Sequence, residues 1–409
     1  MSDTVIFGGE ALNGTVTPGG SKNAALPIIF ATLVTKAVSV ISNVPDIGDV
    51  RVATEILREL GATVTRMGDT LTVDTRLAVY KKPRRELTSK IRASSYLIGA
   101  CLSRFGIFHL SDFGGCNFCN RPIDMHLYAA EALGASIDNE VISAKRLRGG
   151  KIVFDKISVG ATMNALIMAV SAKEPTVIEG AAREPHVGNL IEYLRRAGAD
   201  IEVAGDTVAV RPAPLGDAHV RVITDMIEVG TFLLLGPLTE GRVTVLTPDA
   251  PELESFVSAF AEAGIEASVS CGGITLLGIP KRKISVLTAP HPGYPTDLQP
   301  QAAPLMAKYF GGVIDERVWQ MRFSYLSALA SFGVKYSLGG STAYVEHSQL
   351  SAAECAAPDL RGGAAAVMCA LAARGKSTIK NTEIIMRGYS DFWNKLISLG
   401  ANIENEGDT

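Results

Sequence analysis

The chain has 409 residues, of which 47% are hydrophobic and 20% charged, and its formal net charge is −3. This length exceeds what one hydrophobic core usually covers, so we expect two domains. The slight acidic surplus argues against nucleic acid as the main partner, because neutralising a phosphate backbone needs an excess of Lys and Arg. Apolar stretches such as Ala24–Val34 are too short to span a bilayer and follow no charged leader. We therefore expect no membrane partner and a cytoplasmic location.

The first predicted element is a short strand, Thr4–Phe7, and after it one pattern occurs six times. Each repeat reads as an apolar helix, a strand, a second helix that ends at a glycine, and a hairpin around a Gly turn. The six glycines lie 64 to 73 residues apart, at Gly61, Gly134, Gly198, Gly264, Gly333 and Gly400. We expect each to have a positive φ at a helix C-cap. A steady period of this size indicates stacked units that bury their apolar faces against one another.

The apolar helix that opens each repeat starts at a polar or charged cluster. The six helices are predicted over Asn23–Leu33, Arg92–Leu102, Gly160–Val170, Ile227–Leu235, Leu298–Lys308 and Leu360–Ala373. Helix N-termini attract anions, and rotation between repeats could bring all six starts to one cleft. Lys22, Arg92 and Arg361 are cations at this end of a helix, where they cost stability unless an anion is present. The pattern favours a site for a small polyanion.

Ordinary helix capping is the alternative for these clusters. Ser21, Thr296 and Asp359 are residue types that cap helix N-termini, and a single arginine on a surface commonly forms a solvated ion pair. Asp297 could likewise be an N-cap residue. For any one cluster capping is the better interpretation, and only the number of cations favours binding.

The last hairpin is incomplete, because the chain ends where its turn should be. We expect the Thr4–Phe7 strand to supply the missing strand. Residues 21–223 would then form an N-terminal domain of three repeats. Residues 1–20 and 224–409 would form a C-terminal domain of three repeats, with the chain crossing between them near Gly20 and Ile223.

Six cysteines in so long a chain do not indicate a disulfide framework. Cys116 and Cys119 have the spacing of redox or zinc sites, but no second pair completes a set of four ligands, so we expect no metal. Cys116 lies in a loop, Phe113–Asn120, whose glycines and asparagines predict mobility. Arg121 nearby should lower the pKa of the Cys116 thiol and make it a usable acid or nucleophile. The alternative is a passive exposed cysteine.

Eight segments in register resemble the UDP-N-acetylglucosamine 1-carboxyvinyltransferases, which are enolpyruvyl transferases. They are Gly19–Pro27, Arg92–Ser94, Gly114–Cys116 with Arg121–His126, Asp155–Thr162, Ala181–Pro185, Thr288–Asp297, Asp359–Arg361 and Arg387–Tyr389. The resemblance runs from about Gly8 to Asn405. It implies an α/β fold of two domains, an inside-out α/β barrel built from six helix-strand-helix-hairpin repeats, with the site between the domains.

The resemblance also implies a reaction. The enolpyruvyl group of phosphoenolpyruvate would pass to the 3′-hydroxyl of UDP-N-acetylglucosamine, with release of phosphate, by addition and elimination through a tetrahedral intermediate. This is the first committed step of peptidoglycan precursor synthesis, and it serves cell-wall formation, cell shape and cell division. The expected partners are these two substrates. The reaction is expected to need no cofactor and no metal, and the protein is expected to be a monomer. Fosfomycin, an epoxide that mimics phosphoenolpyruvate, would be an inhibitor.

The site residues that the resemblance implies fall into three groups. The catalytic residues would be Cys116, Asp297, Lys22 and Arg387. The phosphoenolpyruvate ligands would be Lys22, Arg121, Arg322, Arg361 and Arg387. The residues that bind UDP-N-acetylglucosamine would be Asn23, Arg92, Arg121, Pro122, Ile123, Asp124, Met125, Lys156, Ser158, Val159, Gly160, Asp297 and Val318.

Two of these residues and one further carboxylate have individual roles in the expected mechanism. Asp297 would be the base, although neighbouring cations should lower its pKa and make it depend on placement more than on basicity. Cys116 would be the general acid on a mobile lid. Asp359 is a second carboxylate, which could share in proton handling or order Lys22. Asp225 and Glu228 lie at the crossing between domains and are expected to be structural.

The sequence also departs from the family's usual pattern. Gln320 and Met321 precede Arg322 where an acid and Asn are usual, and Met386 precedes Arg387 where Asp is common. Two glycines follow Arg361, and Cys119 stands in place of a small residue. These differences indicate a divergent member or a second isozyme.

Three other functions are compatible with parts of the pattern. A sister enolpyruvyl transferase could use shikimate 3-phosphate or a nucleotide as acceptor, but the cysteine loop and Lys156–Gly160 favour the UDP-sugar. A non-catalytic binding paralogue should lack a catalytic position, and all are present. An RNA-end-processing enzyme on related repeats would need a nucleophilic His and a basic surface, neither of which is evident.

Overall fold

The computed structural model describes residues 3–110, 113–114, 122–247, 249, 252–270 and 272–405. They divide into two compact units, each with its own hydrophobic core. The N-terminal unit comprises residues 20–114 and 122–223, and the C-terminal unit comprises residues 3–19 and 224–405. The chain passes from one unit to the other at Gly19–Gly20 and at Ile223–Thr224.

Helices and strands are numbered here in chain order. The helices are α1 Lys22–Thr35, α2 Gly48–Glu59, α3 Arg85–Thr88, α4 Leu97–Phe105, α5 Asp124–Ala132, α6 Val159–Ala169, α7 Pro185–Arg196, α8 Met226–Thr239, α9 Glu254–Ala261, α10 Gln299–Lys308, α11 Tyr325–Ala330, α12 Leu360–Ala372 and α13 Phe392–Ser398. Three short 3-10 helices span Arg92–Tyr96, Thr296–Leu298 and Thr382–Arg387. The strands are β1 Thr4–Gly8, β2 Asn13–Val16, β3 Val38–Ser42, β4 Thr63–Met67, β5 Thr70–Asp74, β6 Ile107–His109, β7 Ser136–Asp138, β8 Val141–Ser143, β9 Gly150–Val153, β10 Thr176–Glu179, β11 Asp200–Ala204, β12 Thr207–Arg211, β13 Ala218–Arg221, β14 Arg242–Leu246, β15 Glu266–Ser270, β16 Gly273–Leu277, β17 Ile284–Thr288, β18 Gly312–Glu316, β19 Tyr336–Gly339, β20 Thr342–Val345, β21 Glu354–Ala356, β22 Gly375–Lys380 and β23 Asn402–Asn405.

Three buried helices form the centre of the N-terminal unit. Helices α1, α4 and α6 pack against one another, and α1 is buried from Ala24 to Thr35. A helix that is apolar on all sides has to lie inside the protein, and here three sheets and the amphipathic second helices provide the cover. The sheets have the strand orders β13-β3-β5-β4, β6-β8-β7 and β11-β12-β10-β9.

The C-terminal unit repeats this arrangement around α8, α10 and α12. Its sheets have the strand orders β15-β16-β14-β2, β17-β18-β20-β19 and β21-β22-β1-β23. Strand β1 lies between β22 and β23 and is antiparallel to both, with Val5 opposite Thr378 on one side and Glu404 on the other. It occupies the place that the second hairpin strand has in the other sheets, so the N-terminal segment completes the last repeat.

The α/β fold and the capping role of the six glycines are confirmed. The φ angles of the glycines at the helix ends range from +82° at Gly61 to +111° at Gly198. The described strands form separate sheets around each helix core and do not join into one closed barrel.

A fourth strand in five of the sheets was missing from the repeat pattern. The additional strands are β2, β9, β13, β17 and β21, and each pairs in parallel with the first strand of a repeat. They are only three to five residues long, and parallel pairing depends on a distant partner, so local periodicity gives little sign of them. Strand β13 pairs with β3, from the other end of its unit, and β2 pairs with β14, which explains why the chain has to cross twice.

Candidate functional site

The starts of α1, α4 and α6 lie at one end of the N-terminal unit. The last residues of α1 and α4 and the residues that directly follow α6 line a single cavity, so the helices run in the same direction and begin together at the opposite end. This end carries Lys22 and Asn23 on α1, Arg92 on the 3-10 turn before α4, and Ser158–Gly160 at α6. The prediction that repeat symmetry gathers the helix starts is confirmed within this unit.

Lys22 is paired with a residue that the sequence did not single out. Its Nζ lies 4.0 Å from Oδ2 of Asp49, a buried carboxylate in the first turn of α2. Ser21 precedes Lys22 at the N-cap position, but its side chain makes no capping hydrogen bond. The capping interpretation of Ser21 is therefore wrong, and Asp49 offsets part of the cation's unfavourable placement at the helix start.

Arg92 lies beside both ends of the predicted lid. Its Nη2 donates to the carbonyl oxygen of Pro122 at 3.4 Å, and its guanidinium lies 6.0 Å from the centre of the Phe113 ring. Gly114 is fixed against the preceding segment, because a Cβ there would lie 1.9 Å from the carbonyl oxygen of Ser89. Only a glycine fits so close to another backbone.

The central part of the predicted lid lies outside the described residues. This part includes Cys116, Cys119 and Arg121, so their roles stay predictions. Pro122 and Asp124 are exposed where α5 begins, and Ile123 and Met125 are half-buried.

The start of α6 is shaped by a cap and a histidine. The Ser158 hydroxyl accepts a hydrogen bond from the backbone N–H of Ala161 at 3.3 Å, while Lys156 is exposed. A Cβ on Gly160 would lie 2.9 Å from the ring of His126, so the histidine packs directly on this helix start. His126 Nδ1 and the side-chain amide of Asn164 are 2.6 Å apart, which joins α5 to α6.

His126 is expected to make stability depend on pH. Burial lowers its pKa from 6.5 to about 4, with a smaller contribution from Arg92. When the pH falls below 6.5, the unfolded chain binds a proton that folded His126 does not bind until about pH 4. The free energy of unfolding should therefore decrease across this window by up to about 3 kcal/mol.

Urea unfolding of the wild type and of His126→Gln between pH 4.5 and 7 measures this contribution. The variant should show a smaller decrease than the wild type. The matched control is His219→Gln, because His219 is exposed on β13 and its replacement should leave the decrease unchanged. Equal decreases in the wild type and His126→Gln would show that His126 does not contribute.

In the C-terminal unit, Asp297 is held between two arginines. Its Oδ1 lies 2.8 Å from Nη1 of Arg322, and its Oδ2 lies 3.3 Å from Nη2 of Arg361. Both arginine side chains are buried, with 5% and 2% exposed, whereas 27% of the Asp297 side chain is exposed. Asp297 is inside the 3-10 turn Thr296–Leu298 and does not cap α10, so the capping interpretation is wrong.

Buried polar groups support this cluster from behind. The Arg361 guanidinium lies 5.2 Å from the centre of the Tyr389 ring, and the Tyr389 hydroxyl is 2.9 Å from that of Thr231. The amide of Gln301 fits best with its oxygen accepting from Tyr389 at 3.1 Å and its nitrogen donating to the backbone oxygen of Asp297 at 3.1 Å. Burial acts to lower the pKa of Arg361, but Tyr389 and Asp297 outweigh it and the pKa is raised.

Arg361 retains one nitrogen without a partner. Its Nη1 is buried and has no hydrogen-bond partner among the described residues. Asp359 is occupied as the cap of α12, since its Oδ1 accepts from the backbone N–H groups of Arg361 at 2.8 Å and Gly362 at 2.9 Å. This carboxylate therefore has the capping role for which its residue type is suited.

The other predicted residues of this unit lie on adjacent segments. Arg387 is half-buried at the end of the 3-10 turn Thr382–Arg387, and the next residue, Gly388, packs on Leu360 beside Arg361. Val318 is half-buried, and its backbone N–H donates to Oε1 of the buried Glu316 at 2.9 Å. Oε2 of Glu316 accepts from Thr296, so Glu316 connects the Val318 turn to the segment that carries Asp297.

Asp225 and Glu228 have structural roles, as expected. Asp225 caps α8 through the N–H groups of Ile227 and Glu228. Glu228 is buried, accepts from the backbone N–H of Gly19 at 3.1 Å and pairs with Lys395. Burial raises the pKa of Glu228, with Lys395 opposing this effect.

Comparisons with known proteins identify the family. The family model described as EPSP synthase (3-phosphoshikimate 1-carboxyvinyltransferase) matches residues 6–396. A UDP-N-acetylglucosamine 1-carboxyvinyltransferase from Halothermothrix orenii is 38% identical, over 98% of this chain and 99% of its own length. A UDP-N-acetylglucosamine 1-carboxyvinyltransferase 3 from Caldanaerobacter subterraneus subsp. tengcongensis is 39% identical, over 98% of this chain and 99% of its own length. The chain belongs to the UDP-N-acetylglucosamine 1-carboxyvinyltransferase family, within the EPSP synthase family. It is therefore a transferase.

Solved structures agree with this family membership. The enolpyruvyl transferase NikO from Streptomyces tendae superposes with a TM-score of 0.88 at 26% identity, over 99% of this chain and 98% of its own. An EPSP synthase from Acinetobacter baumannii has a TM-score of 0.74 at 15% identity, over 99% of both chains, and shows the shared fold. Within the described part of the chain, no helix has both the length and the apolar character needed to cross a membrane.

One departure from the pattern of the 1-carboxyvinyltransferases has a conformational consequence. Met321 has a φ of +62° and is 76% exposed, directly before Arg322. Asn, the residue that the resemblance implies for this position, is one of the few residues other than glycine that tolerates left-handed backbone, whereas a side chain such as that of Met is disfavoured there. The tight turn that places Arg322 is therefore strained in this chain.

Met321→Asn should relieve this strain and raise the free energy of unfolding by about 1 kcal/mol. Chemical denaturation measures this change in the free energy of unfolding, provided that both the midpoint and the slope of the unfolding transition are determined. Met67→Asn is the matched control, because Met67 is 84% exposed in strand β4, where asparagine is disfavoured. A gain in the control as large as that in Met321→Asn would point to lower surface hydrophobicity and not to relief of strain.

Several residues of the candidate site were not found from the sequence. They are Asp49, Thr231, Gln301, Glu316 and Tyr389, and all five are buried. A signal existed for two of them, since Thr231 and Gln301 are polar residues within otherwise apolar helices. Such residues usually have a hydrogen-bond partner inside the protein. Asp49 gave no such signal, because it resembles an ordinary acid in the first turn of a helix.

Proposed function

We propose that this protein transfers the enolpyruvyl group of phosphoenolpyruvate to the 3′-hydroxyl of UDP-N-acetylglucosamine and releases phosphate. The names of the relatives at 38% and 39% identity over almost the whole chain support this acceptor. The same proposal places the protein in the cytoplasm as a monomer, at the first committed step of peptidoglycan precursor synthesis. It thereby serves cell-wall formation, cell shape and cell division.

The observation that carries the proposal is the unpaired nitrogen of Arg361. A buried guanidinium N–H without an acceptor costs free energy, about 1 to 3 kcal/mol for an ordinary buried group and more for a charged one. An anionic ligand removes this cost when it binds. Two neighbours, Arg322 and the half-buried Arg387, add positive charge on adjacent segments of the same unit. A carboxylate or phosphate group of phosphoenolpyruvate suits these planar donors.

The resemblance supplies the binding role of each residue. Lys22, Arg121 and Arg387 hold the phosphate, and Arg322 and Arg361 hold the carboxylate end. The residues for the acceptor are those at the helix starts of the N-terminal unit, Asn23, Arg92, Pro122–Met125, Lys156 and Ser158–Gly160, together with Val318 and Asp297.

Three proton transfers define the chemistry. Asp297 accepts the proton of the 3′-hydroxyl as the oxygen forms a bond to C2 of phosphoenolpyruvate, while Cys116 donates a proton to C3. Loss of a proton from C3 and departure of phosphate from C2 then restore the double bond. The two arginines hold the Asp297 side chain in a fixed position, and this favours proton transfer by placement over basicity.

Phosphate release from phosphoenolpyruvate tests the proposal. We expect turnover with UDP-N-acetylglucosamine, and turnover at least about 100-fold lower with shikimate 3-phosphate or with uridine nucleotides, because these acceptors lack the N-acetylglucosamine ring that carries the reacting hydroxyl. The enolpyruvyl product should be confirmed by mass spectrometry. No phosphate release with UDP-N-acetylglucosamine, under conditions where the protein is folded, would refute the proposed acceptor.

A second candidate is enolpyruvyl transfer to a different acceptor. The TM-score of 0.88 to NikO, another enolpyruvyl transferase, shows that closely similar structures occur in a protein with a different name. The nucleotide and shikimate 3-phosphate arms of the same assay distinguish the two candidates. Highest turnover in one of those arms would select the second candidate.

A further inference from the structure

The N-terminal unit contains a cavity of about 750 Å³ at the end opposite to the candidate site. It is lined by the last residues of α1 and α4, by the residues that directly follow α6, and by the segments around Ser143–Leu147 and Pro212–Leu215. None of the residues proposed to bind substrate lines this cavity. The volume lies within the range of small-molecule binding sites.

The charge of the cavity differs from that of the whole chain. Four cations line it, Lys36, Arg104, Lys145 and Arg146, and none of its lining residues is acidic. The chain as a whole has a net charge of −3. Within the described residues, none of the four cations forms an ion pair with a carboxylate. Like charges gathered without counter-charges repel one another, and an anion would relieve this repulsion.

Arg104 is the most constrained of the four. It is half-buried, and its Nη2 donates to the carbonyl oxygens of Thr75 at 3.0 Å, Arg76 at 3.2 Å and Ala78 at 3.3 Å. These bonds fix the guanidinium at the cavity wall. Burial lowers the pKa of Arg104, with no contribution from an acidic neighbour.

Compensation of the helix dipoles does not explain all of this charge. Cations at helix C-termini are favourable, and three helices end here. The C-terminus of each helix is equivalent to roughly −0.5 elementary charge, so the three helices together contribute about −1.5. Four positive charges stand against this sum. An excess of more than two positive charges remains.

The cavity also has an apolar wall. Phe105, Ile107 and Leu215 line it and are half-buried. Four residues with hydroxyl groups complete the polar part of the lining, Thr35, Ser103, Ser143 and Ser171. A ligand with both an anionic group and a ring would use both features.

We propose that this cavity is a second binding site, for a small organic phosphate that carries an apolar or aromatic group. The site is separate from the proposed catalytic residues, and the proposal does not depend on the acceptor of the reaction. Phosphate is favoured over a carboxylate because several cations can share its oxygens.

The test uses 1-naphthyl phosphate as the probe and isothermal titration calorimetry on the full-length protein. We expect Lys145→Glu with Arg146→Glu to weaken binding at least about tenfold, because the double change reverses two of the four charges. Lys81→Glu with Lys82→Glu is the matched control, since these two lysines are adjacent and exposed in the same unit but do not line the cavity. This control should change binding by less than about twofold.

Binding at the candidate active site and general electrostatic attraction are tested in the same titrations. Lys22→Ala should leave binding of the probe within about twofold, and pyrophosphate and 1-naphthol should each bind at least about tenfold more weakly than 1-naphthyl phosphate. Equal weakening in the two double variants would show general electrostatic attraction, and loss of binding in Lys22→Ala alone would place the probe in the candidate active site. Either result overturns the proposal, and so does equal binding of pyrophosphate or 1-naphthol. If thermal unfolding shows that the Lys145→Glu, Arg146→Glu variant is misfolded, Lys36→Ala takes its place. Lys36→Ala should weaken binding at least about threefold.

Discussion

Asp297→Asn should lower the turnover number at least about 100-fold, while UDP-N-acetylglucosamine binding changes by less than about tenfold. Asparagine has nearly the same shape as aspartate, but it cannot accept the proton of the acceptor hydroxyl. Arg322 and Arg361 also lose the negative charge between them, at contacts of 2.8 and 3.3 Å. Steady-state phosphate release gives the turnover number, and calorimetry gives the affinity for the UDP-sugar.

Asp315→Asn is the matched control for this variant. The Asp315 side chain has the same exposed fraction as that of Asp297, 27%, and pairs with an arginine at 2.8 Å. Its partner, Arg317, is an exposed residue, so the ion pair contributes little to stability. We expect turnover within about twofold of the wild type. Turnover of Asp297→Asn close to the wild-type value would remove Asp297 from the mechanism.

Cys116→Asp should abolish alkylation by fosfomycin while turnover is retained. In the proposed reaction the Cys116 thiolate attacks an epoxide carbon, a C–S bond forms, the C–O bond opens, and the resulting alkoxide takes up a proton. The cations that bind the substrate phosphate would hold the phosphonate beside the thiolate. An aspartic acid can still donate a proton to C3, but it does not form the thioether. Mass spectrometry of the intact protein detects the adduct.

Cys119 provides the control within the same segment. It is three residues from Cys116 and has the same chemistry but no inferred role, so peptide mapping should locate the adduct on Cys116 only. UDP-N-acetylglucosamine should accelerate labelling if it closes the lid. Labelling of Cys119, or full turnover in Cys116→Ala, would show that the reactive cysteine has been wrongly assigned.

The repeat architecture could be predicted from the sequence because its signals are local. A glycine with positive φ ends the second helix in every repeat, and the apolar helices and alternating hairpins follow from periodicities of 3.6 and 2 residues. The position of the Thr4–Phe7 strand could also be predicted, because the last hairpin lacked its second strand. In the structure this strand, β1, lies between β22 and β23. The family and the candidate residues followed from eight short segments in register.

The tertiary structure decided which polar side chains meet. The sequence allowed both Asp297 and Asp359 to be either a helix cap or a reactive carboxylate, because both stand at helix starts. Of the two, only Asp359 accepts hydrogen bonds from backbone N–H groups of a helix. Asp297 is instead fixed by Arg322 and Arg361, which lie 25 and 64 residues further along the chain. Contacts over such separations depend on how the helices pack, and residue type at one position does not encode them.

The basic cavity at the other end of the N-terminal unit illustrates the same limit. Lys36 and Arg104 are isolated cations in the sequence, and Lys145 and Arg146 form an adjacent pair, each compatible with a solvated surface. They gather around one cavity because three parallel helices end at the same level. Local sequence determined the six repeats, since each element carries its own periodicity and cap. Packing between repeats determined the charge clusters, since their members meet only when distant helix ends are brought together.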